Sequence, residues 1–207
     1  MIVALVAAAA AAVPSAAPAP DIDQMRIPFP EKREREMAAY SERHYGQRTA
    51  KLTGPKVIVE HFAAAGSVQA IFNTFAPDRR DPELGELPNV CSHYGIGAKG
   101  DIHQFVPLSL RCRHTVGLNH TAIGIEHVGF KDSDVIGKPE VLRASLALTN
   151  QLRCRYGIEV KNVIGHNESL SSPFHMERVA RLRRQTHGDM KRSTMRVYRR
   201  ELAKLDC

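Results

Sequence analysis

Three short apolar runs stand out in the pattern of hydrophobic and polar positions, and each leads into a residue that can bind metal or transfer a proton. The runs are residues 57–59, 122–125 and 163–165. The first run leads into Glu60 and His61. The second leads into Glu126 and the third into His166. Because neighbouring strands of a sheet lie ~5 Å apart, three strand ends can bring such residues around one point. Two histidines and an acid, with a separate carboxylate, form the set that a zinc hydrolase needs.

Further periodic segments predict the elements around these strands. Residues 31–45 are rich in helix formers and charge, with few large apolar residues, which indicates a surface helix. Residues 139–156 repeat apolar positions at helical spacing, and Pro139 suits the first turn. Residues 93–107 predict a hairpin, and residues 160–164 a strand. The pattern as a whole predicts an α/β fold, a single domain with a central mixed sheet flanked by helices.

The N-terminal segment has a different composition from the rest of the 207 residues. Residues 1–20 are almost entirely Ala, Val, Leu and Pro, with an apolar run of signal-peptide length that is too short to span a membrane. We therefore expect a signal-like leader at 1–20, although an uncleaved, disordered Ala/Pro-rich leader is the alternative. A linker and surface helix would follow at 21–50, and the functional domain with a basic C-terminal tail at 51–207.

Cysteine content, like the signal-like leader, indicates a location outside the cytoplasm. The four cysteines are an even number, as in proteins that form disulfides in an oxidising compartment. They allow three pairings, among which the sequence does not choose. None has the CxxC spacing of a structural zinc site. We expect a protein that is secreted or held in the cell envelope.

The positive charge is concentrated near the C-terminus. The chain carries a net charge of +7, and residues 177–204, the basic tail, contain ten Lys and Arg against three acids. In an exported protein this surface suits an anionic cell-wall polymer or phospholipid headgroups, and a solvated helix face is the alternative. Aromatic-rich RNA motifs and zinc-finger spacings are missing from the sequence, so we expect no nucleic-acid partner.

Four ordered blocks resemble the zinc-dependent N-acetylmuramoyl-L-alanine amidases of the amidase-2 family, which share a fold with peptidoglycan recognition proteins. They are VIVEH at 57–61, SHYGIGAKGDIHQFVP at 92–107, RHTVGLNHTAIGIEHVG at 113–129 and VIGHNES at 163–169. The resemblance implies a monomeric zinc enzyme that cleaves the bond between N-acetylmuramic acid and L-alanine in peptidoglycan or muropeptides. The alternative is a non-catalytic peptidoglycan-binding protein on the same fold.

The same resemblance implies a set of zinc ligands. His61 takes the place of the first ligand, with Glu60 as its rival, and imidazole suits an open hydrolytic zinc site better. His166 takes the place of the second ligand. Asp189 is favoured as the third ligand, and His175 is the other candidate. Asp189 requires an insertion, whose residues 177–184 are expected to be helical.

The remaining roles also follow from the resemblance. Glu126 would be the general base and acid, and in an apolar strand its carboxylate is costly unless it is paired or faces a polar cleft. The alternative is a Glu126 that bonds a neighbouring loop. His187 would help to polarise the scissile carbonyl. His114 would line the substrate groove, and Asn119 would bind either the peptide or the loop backbone.

Overall fold

A six-stranded mixed sheet forms the centre of the computed structural model, which describes residues 19–207. Its strands are β1 (Asp23–Gln24), β2 (Val57–Phe62), β3 (Tyr94–Ile96), β4 (Ile102–Gln104), β5 (Ala122–His127) and β6 (Val163–Gly165). They are ordered β1-β4-β3-β5-β2-β6, and only the β3–β4 pair is antiparallel among them. That pair is the predicted hairpin, and the predicted α/β fold is confirmed.

Helices cover the sheet and connect its strands. They are α1 (Glu31–Tyr45), α2 (Val68–Phe75), α3 (Ser133–Ile136), α4 (Pro139–Tyr156) and α5 (Arg192–Leu202). The long helix α4 has the predicted bounds, because Pro139 occupies its first turn and Gly157 caps its end in the left-handed conformation at φ 64°. Among the described residues no helix is long and apolar enough to cross a membrane.

Residues 21–50 pack against the rest of the fold more closely than a linker and surface helix would. Strand β1 pairs with β4 and so belongs to the sheet. Helix α1 has the predicted bounds, but Met37 and Tyr40 on one of its faces are fully buried. Arg33 on that face is also buried, and its guanidinium donates to the backbone carbonyls of Pro28 and Phe75. Arg33, which the sequence pattern placed on a surface helix, is therefore a buried hydrogen-bond donor that helps to hold the fold together.

Two smaller predictions were wrong. The strand predicted at 160–164 starts later, because residues Val160–Asn162 form a 3₁₀ turn and only Val163–Gly165 pairs with β2. The helix expected at 177–184 is reduced to the 3₁₀ turn Ala180–Leu182. There the carboxylate of Glu177 accepts the backbone N–H of Val179 at 2.7 Å, a local bond that competes with helix formation.

The two faces of the sheet have different partners. Side chains alternate along each strand, so Ile58 on β2 and Ile125 on β5 pack in the main core with α4 and α5. His61 and Glu126 stand an odd number of positions further along the same strands, so their side chains lie on the opposite face. The sheet therefore separates a helix-covered core from the face that carries the polar residues.

Two disulfides link loops and helices of the described chain. Cys91 pairs with Cys112, and Cys154 on α4 pairs with Cys207 beyond α5. Such bonds are typical of proteins from oxidising compartments outside the cytoplasm. The leader predicted at 1–20 lies almost entirely outside the described residues.

Candidate active site

Three residues that can bind a metal meet at the carboxyl ends of β2 and β6. The candidate ligand atoms of His61, His166 and Asp189 all lie within 4.8 Å of one another. His61 Nδ1 is 3.1 Å from one oxygen of Asp189, and His166 Nδ1 is 3.4 Å from the other. The three residues are only 2%, 4% and 8% exposed. A carboxylate and two imidazoles are thus held together away from bulk water.

A close backbone approach brings Asp189 to this position. A Cβ at Gly165 would lie 1.7 Å from the carbonyl oxygen of Met190, so only glycine allows β6 and the Asp189 loop to touch. The backbone N–H of Asn167 donates to the carbonyl of Asp189 at 3.0 Å. Asp132 accepts the N–H of Met190 at 3.0 Å and so holds the loop from the other side. Asp132 was not among the residues predicted from the sequence, although its position shortly after the Glu126 strand was a usable signal.

Glu126 lies beside the three residues on the neighbouring strand. It is paired in register with His61 across the parallel β2–β5 ladder. Glu126 is partly exposed to the cleft, whereas its Oε2 is buried and has no hydrogen-bond partner among the described residues. Burial, supported by the charge of Asp189, raises the pKa of Glu126 to about 7, and His61 opposes this shift. Such a carboxyl group can both accept and donate a proton near neutral pH.

Two of the three candidate ligands have the protonation state that a metal requires. Burial alone would lower the pKa of His61, but the charges of Glu126 and Asp189 raise it above its ordinary value, so His61 would release a proton on binding a metal. Burial and the neighbouring His61 lower the pKa of His166 well below its ordinary value, so His166 is neutral. Burial alone would raise the pKa of Asp189, but the hydrogen bond with His61 brings it below its ordinary value. His166 Nε2 is buried without a hydrogen-bond partner in the described part of the chain. Neutral imidazoles and an ionised carboxylate are the donors that zinc binds.

The two rival ligands lie elsewhere. Glu60 faces the opposite side of the sheet, where it accepts hydrogen bonds from Thr149 at 2.8 Å and Tyr198 at 3.2 Å. His175 packs against Gly117, where an added Cβ would lie 2.2 Å from its Nε2. Neither belongs to the cluster of candidate ligand atoms.

His114 and Asn119 form the wall next to His61. His114 lines the cleft, and its Nδ1 is 3.2 Å from His61 Nε2. The Asn119 carbonyl accepts the backbone N–H groups of His114 and Thr115 at 2.9 and 2.8 Å, and its amide donates to Tyr40 at 3.1 Å. Of the two contacts expected for Asn119, the structure shows the one with the loop. Both ends of its amide are bound within the protein, so it is not placed to bind a substrate peptide directly.

His187 covers the cluster from the cleft side. Its ring lies 4.6 Å from the ring of His166, and its Nε2 is 2.9 Å from a carboxylate oxygen of Glu83. The cleft has a volume of about 930 Å³ and opens between this pair and the segment that follows β5. In that segment Phe130 is 64% exposed and Lys131 lies beside it. Neither residue was predicted from the sequence, although an aromatic and a basic residue just beyond a strand that carries a site residue were a usable signal.

Solved structures with the same fold are similar over most of the chain. The N-acetylmuramoyl-L-alanine amidase LysC from Clostridium intestinale URNW is 16% identical with a TM-score of 0.56, over 90% of this chain and 99% of that one. The endolysin amidase LysCS from the same organism is 18% identical with a TM-score of 0.52, over 74% and 86% of the two chains. The PlyG catalytic domain is 14% identical with a TM-score of 0.51, over 89% and 94%. At these identities the likeness establishes the fold alone.

Comparison of the sequence with protein families identifies the family of this chain. No curated protein matches the chain. Residues 51–186, which include His61, Glu126 and His166, match the Amidase_2 family, described as N-acetylmuramoyl-L-alanine amidase. Because this match covers more than half of the 207 residues and agrees with the fold, the chain belongs to the Amidase_2 family of N-acetylmuramoyl-L-alanine amidases.

Proposed function

We propose that this protein is a zinc-dependent amidase that hydrolyses the bond between N-acetylmuramic acid and L-alanine in peptidoglycan or muropeptides outside the cytoplasm. The observation that carries the proposal is the buried cluster of His61, His166 and Asp189 next to the unpartnered carboxylate of Glu126. Membership of the amidase family supports the substrate class. A non-catalytic peptidoglycan-binding protein would have no use for Glu126 in this position.

The three clustered residues would hold the metal. When bound, zinc lowers the pKa of a water molecule to ~7 and polarises the carbonyl group that is attacked. His166 would supply a neutral nitrogen, His61 would supply one after releasing its proton, and Asp189 would supply a negative oxygen that offsets part of the metal charge. The hydrogen bonds that hold the Asp189 loop fix this oxygen before a metal arrives.

Glu126 would move the proton. Its carboxylate takes a proton from the attacking water and passes it to the nitrogen of L-alanine as the amide bond breaks. An amine is a poor leaving group until it is protonated, so this transfer is required for turnover. With a pKa of about 7, Glu126 can perform both halves of the transfer at neutral pH.

The residues around the cluster would orient it and stabilise developing charge. In its imidazolium form, His187 would donate from Nδ1 to the oxygen of the scissile carbonyl, while its Nε2–H donates to Glu83 at 2.9 Å and orients the ring. His114 would form the groove wall and support the ring of His61. Asn119 would act as a positioning residue, because its side chain ties together the backbone of the loop that carries His114.

The proposed location follows from the covalent structure and composition. Two disulfides agree with an oxidising compartment, and residues 1–20 would act as the export signal. Part of the basic tail is structural, because Arg199 binds Glu168 at 2.7 Å. Its exposed members, among them Arg196 and Arg200, would contact anionic cell-wall polymer.

Metal analysis and turnover test the proposal together. We expect about one zinc per chain, release of L-alanyl peptides from a muropeptide, loss of both on chelation, and recovery when zinc is returned. His166→Ala should lose zinc and activity. The matched control His175→Ala changes the same residue type outside the cluster and should keep both. Full activity in the metal-free protein would overturn the mechanism, and tight muropeptide binding without hydrolysis would favour the non-catalytic alternative.

A further inference from the structure

A second depression lies on the helix side of the sheet, away from the cleft. It has a volume of about 580 Å³, within the range of small-ligand sites, and shares no lining residue with the cleft. Residues from β3, β4 and the last turns of α4 form it, together with the loop before β2. The buried strand residue Tyr94 forms part of its wall. A ligand bound there would leave the cleft free.

The charge of this depression is positive. Arg26 and Arg155 line it, whereas none of its lining residues is an Asp or Glu. Neither arginine forms an ion pair with a described residue. Arg26 donates to the side-chain oxygen of Gln104 at 2.8 Å, and the guanidinium of Arg155 lies 5.3 Å from the ring centre of Tyr156. Two cations without a carboxylate partner favour an anionic ligand.

Tyr94 supplies a further polar group. The residue is only 3% exposed, and its hydroxyl has no hydrogen-bond partner among the described residues although it lines the depression. Burial raises the pKa of Tyr94 to about 12, so the hydroxyl keeps its proton and can donate. The hydroxyl oxygen itself reaches the surface of the depression and is free to donate to a ligand there.

The other lining groups fit a sugar ring. Tyr156 offers an aromatic surface, and the amide of Gln151, which has no hydrogen-bond partner among the described residues, offers a donor and an acceptor. Gln104 instead holds Arg26 in place, because its side-chain oxygen accepts from Arg26 and its amide donates to the carbonyl of Val106. Aromatic faces bordered by amides suit a ring that is apolar on its faces and carries hydroxyl groups at its edge. With the two arginines, the combination selects a saccharide that carries an anionic group.

We propose that this depression is a second binding site for a carboxylate-bearing saccharide, the glycan strand from which the peptides have been removed. This choice of saccharide rests on the proposed function. In that hydrolysis the C–N bond of the amide breaks, the hydroxyl of water joins the carbonyl carbon, and the nitrogen takes the proton. The resulting lactyl carboxyl group ionises at neutral pH. The enzyme would thus hold cleaved glycan at one face of the sheet while its cleft works on the adjacent strand.

Binding of peptide-free strands of alternating N-acetylglucosamine and N-acetylmuramic acid tests this site. The strands are labelled and titrated with the full, disulfide-bonded protein. Arg26→Gln and Arg155→Gln should each weaken binding by about tenfold, as expected for loss of a charge-assisted hydrogen bond. Tyr94→Phe should weaken it severalfold. Arg143→Gln removes the same charge from α4 outside this depression and should leave binding unchanged.

Three outcomes would overturn the proposal. Neutral N-acetylglucosamine oligomers could bind as tightly as the carboxylated strands, which would remove the role of charge. A glycerol-phosphate polymer could bind with the same dependence on Arg26 and Arg155 while the glycan does not, which would make the site a phosphate site. Finally, the arginine variants could bind the glycan normally. Hydrolysis of a small soluble muropeptide is measured on the same samples, so failure of the proposed function is seen separately from failure of glycan binding.

Discussion

Two glutamates on neighbouring strands have similarly raised pKa values but different surroundings. Burial raises the pKa of both Glu60 on β2 and Glu126 on β5 to about 7. Glu60 is fully buried; its Oε1 accepts hydrogen bonds from Thr149 and Tyr198, and its Oε2 has no hydrogen-bond partner among the described residues. Glu126 opens on the cleft, and its buried Oε2 has no protein partner among the described residues.

The difference shows what distinguishes a candidate catalytic carboxylate from a structural one. A raised pKa alone would select both residues equally. Oε2 of each glutamate is buried without a hydrogen-bond partner among the described residues, so an unused oxygen does not separate them either. Access to the cleft selects Glu126, because a proton-transfer group must reach a substrate. Glu60 instead bridges β2 to α4 and α5. Its register, one residue away from His61, explains why the sequence could offer it as a rival ligand.

The largest expected effect comes from changing each glutamate to its neutral isostere. Glu126→Gln should lower turnover by about 10³-fold with zinc content and melting temperature unchanged, because it removes the proton acceptor. Glu60→Gln is the matched control, and its turnover should stay within about tenfold of the unaltered protein, since Glu60 does not reach the cleft. Release of peptide from a muropeptide under saturating conditions measures both. Normal turnover by Glu126→Gln would show that Glu126 does not transfer the proton and that the two glutamates do not differ in function.

His93 is a third buried titratable group, and its role is structural rather than catalytic. The pH dependence of the free energy of unfolding tests that role. Neutral His93 accepts the Gly124 N–H through Nδ1 at 3.0 Å and donates to the Leu110 carbonyl through Nε2 at 3.0 Å. Burial lowers the pKa of His93 to about 4. In the unfolded chain the pKa returns to ~6.5, so the unfolded state takes up the proton first as the pH falls. We expect a loss of about 3 kcal/mol in the free energy of unfolding between pH 7 and pH 4.

His93→Gln removes this dependence and serves as the comparison. The variant should be less stable at pH 7, and the gap between the two proteins should narrow by about 3 kcal/mol towards pH 4. Urea unfolding at a series of pH values measures the gap. Parallel curves for the two proteins would show that His93 is not the group responsible.

The smallest expected effect concerns the hydroxyl that supports Glu60. Tyr198→Phe removes hydrogen bonds to Glu60 at 3.2 Å, Thr149 at 3.0 Å and Ser145 at 2.7 Å. We expect a loss of about 1–2 kcal/mol in the free energy of unfolding and turnover within about twofold of normal. Tyr156→Phe, on the less buried end of α4, is the control and should change stability little. Reduced turnover at normal stability would instead connect the Glu60 side of the sheet to catalysis.

Local patterns made much of the fold predictable from sequence. The bounds of α1 and α4 agree with the predictions because helical periodicity and end signals lie within each segment. His61, Glu126 and His166 were identifiable because each ends a short apolar strand, and parallel strands bring such ends to one edge.

Contacts between distant segments were not predictable in the same way. The burial of Arg33 depends on carbonyl groups from Pro28 and Phe75, which no local pattern reveals. Asn119 looked available for a substrate because its sequence neighbours do not show that its carbonyl accepts from the His114 loop and its amide donates to Tyr40 on α1. Asp189 could be suggested but not placed, since its position depends on the contact of its loop with Gly165.

The separation of the candidate ligands along the chain has a consequence for biogenesis. His61 and Asp189 are 128 positions apart, and Gly165 must seat the Asp189 loop before their side chains can meet. A partly synthesised or partly translocated chain therefore lacks a complete metal site. Under the proposed function and location, the enzyme would remain inactive while it crosses the membrane, and metal binding by the finished chain would mark the point at which it can cleave peptidoglycan.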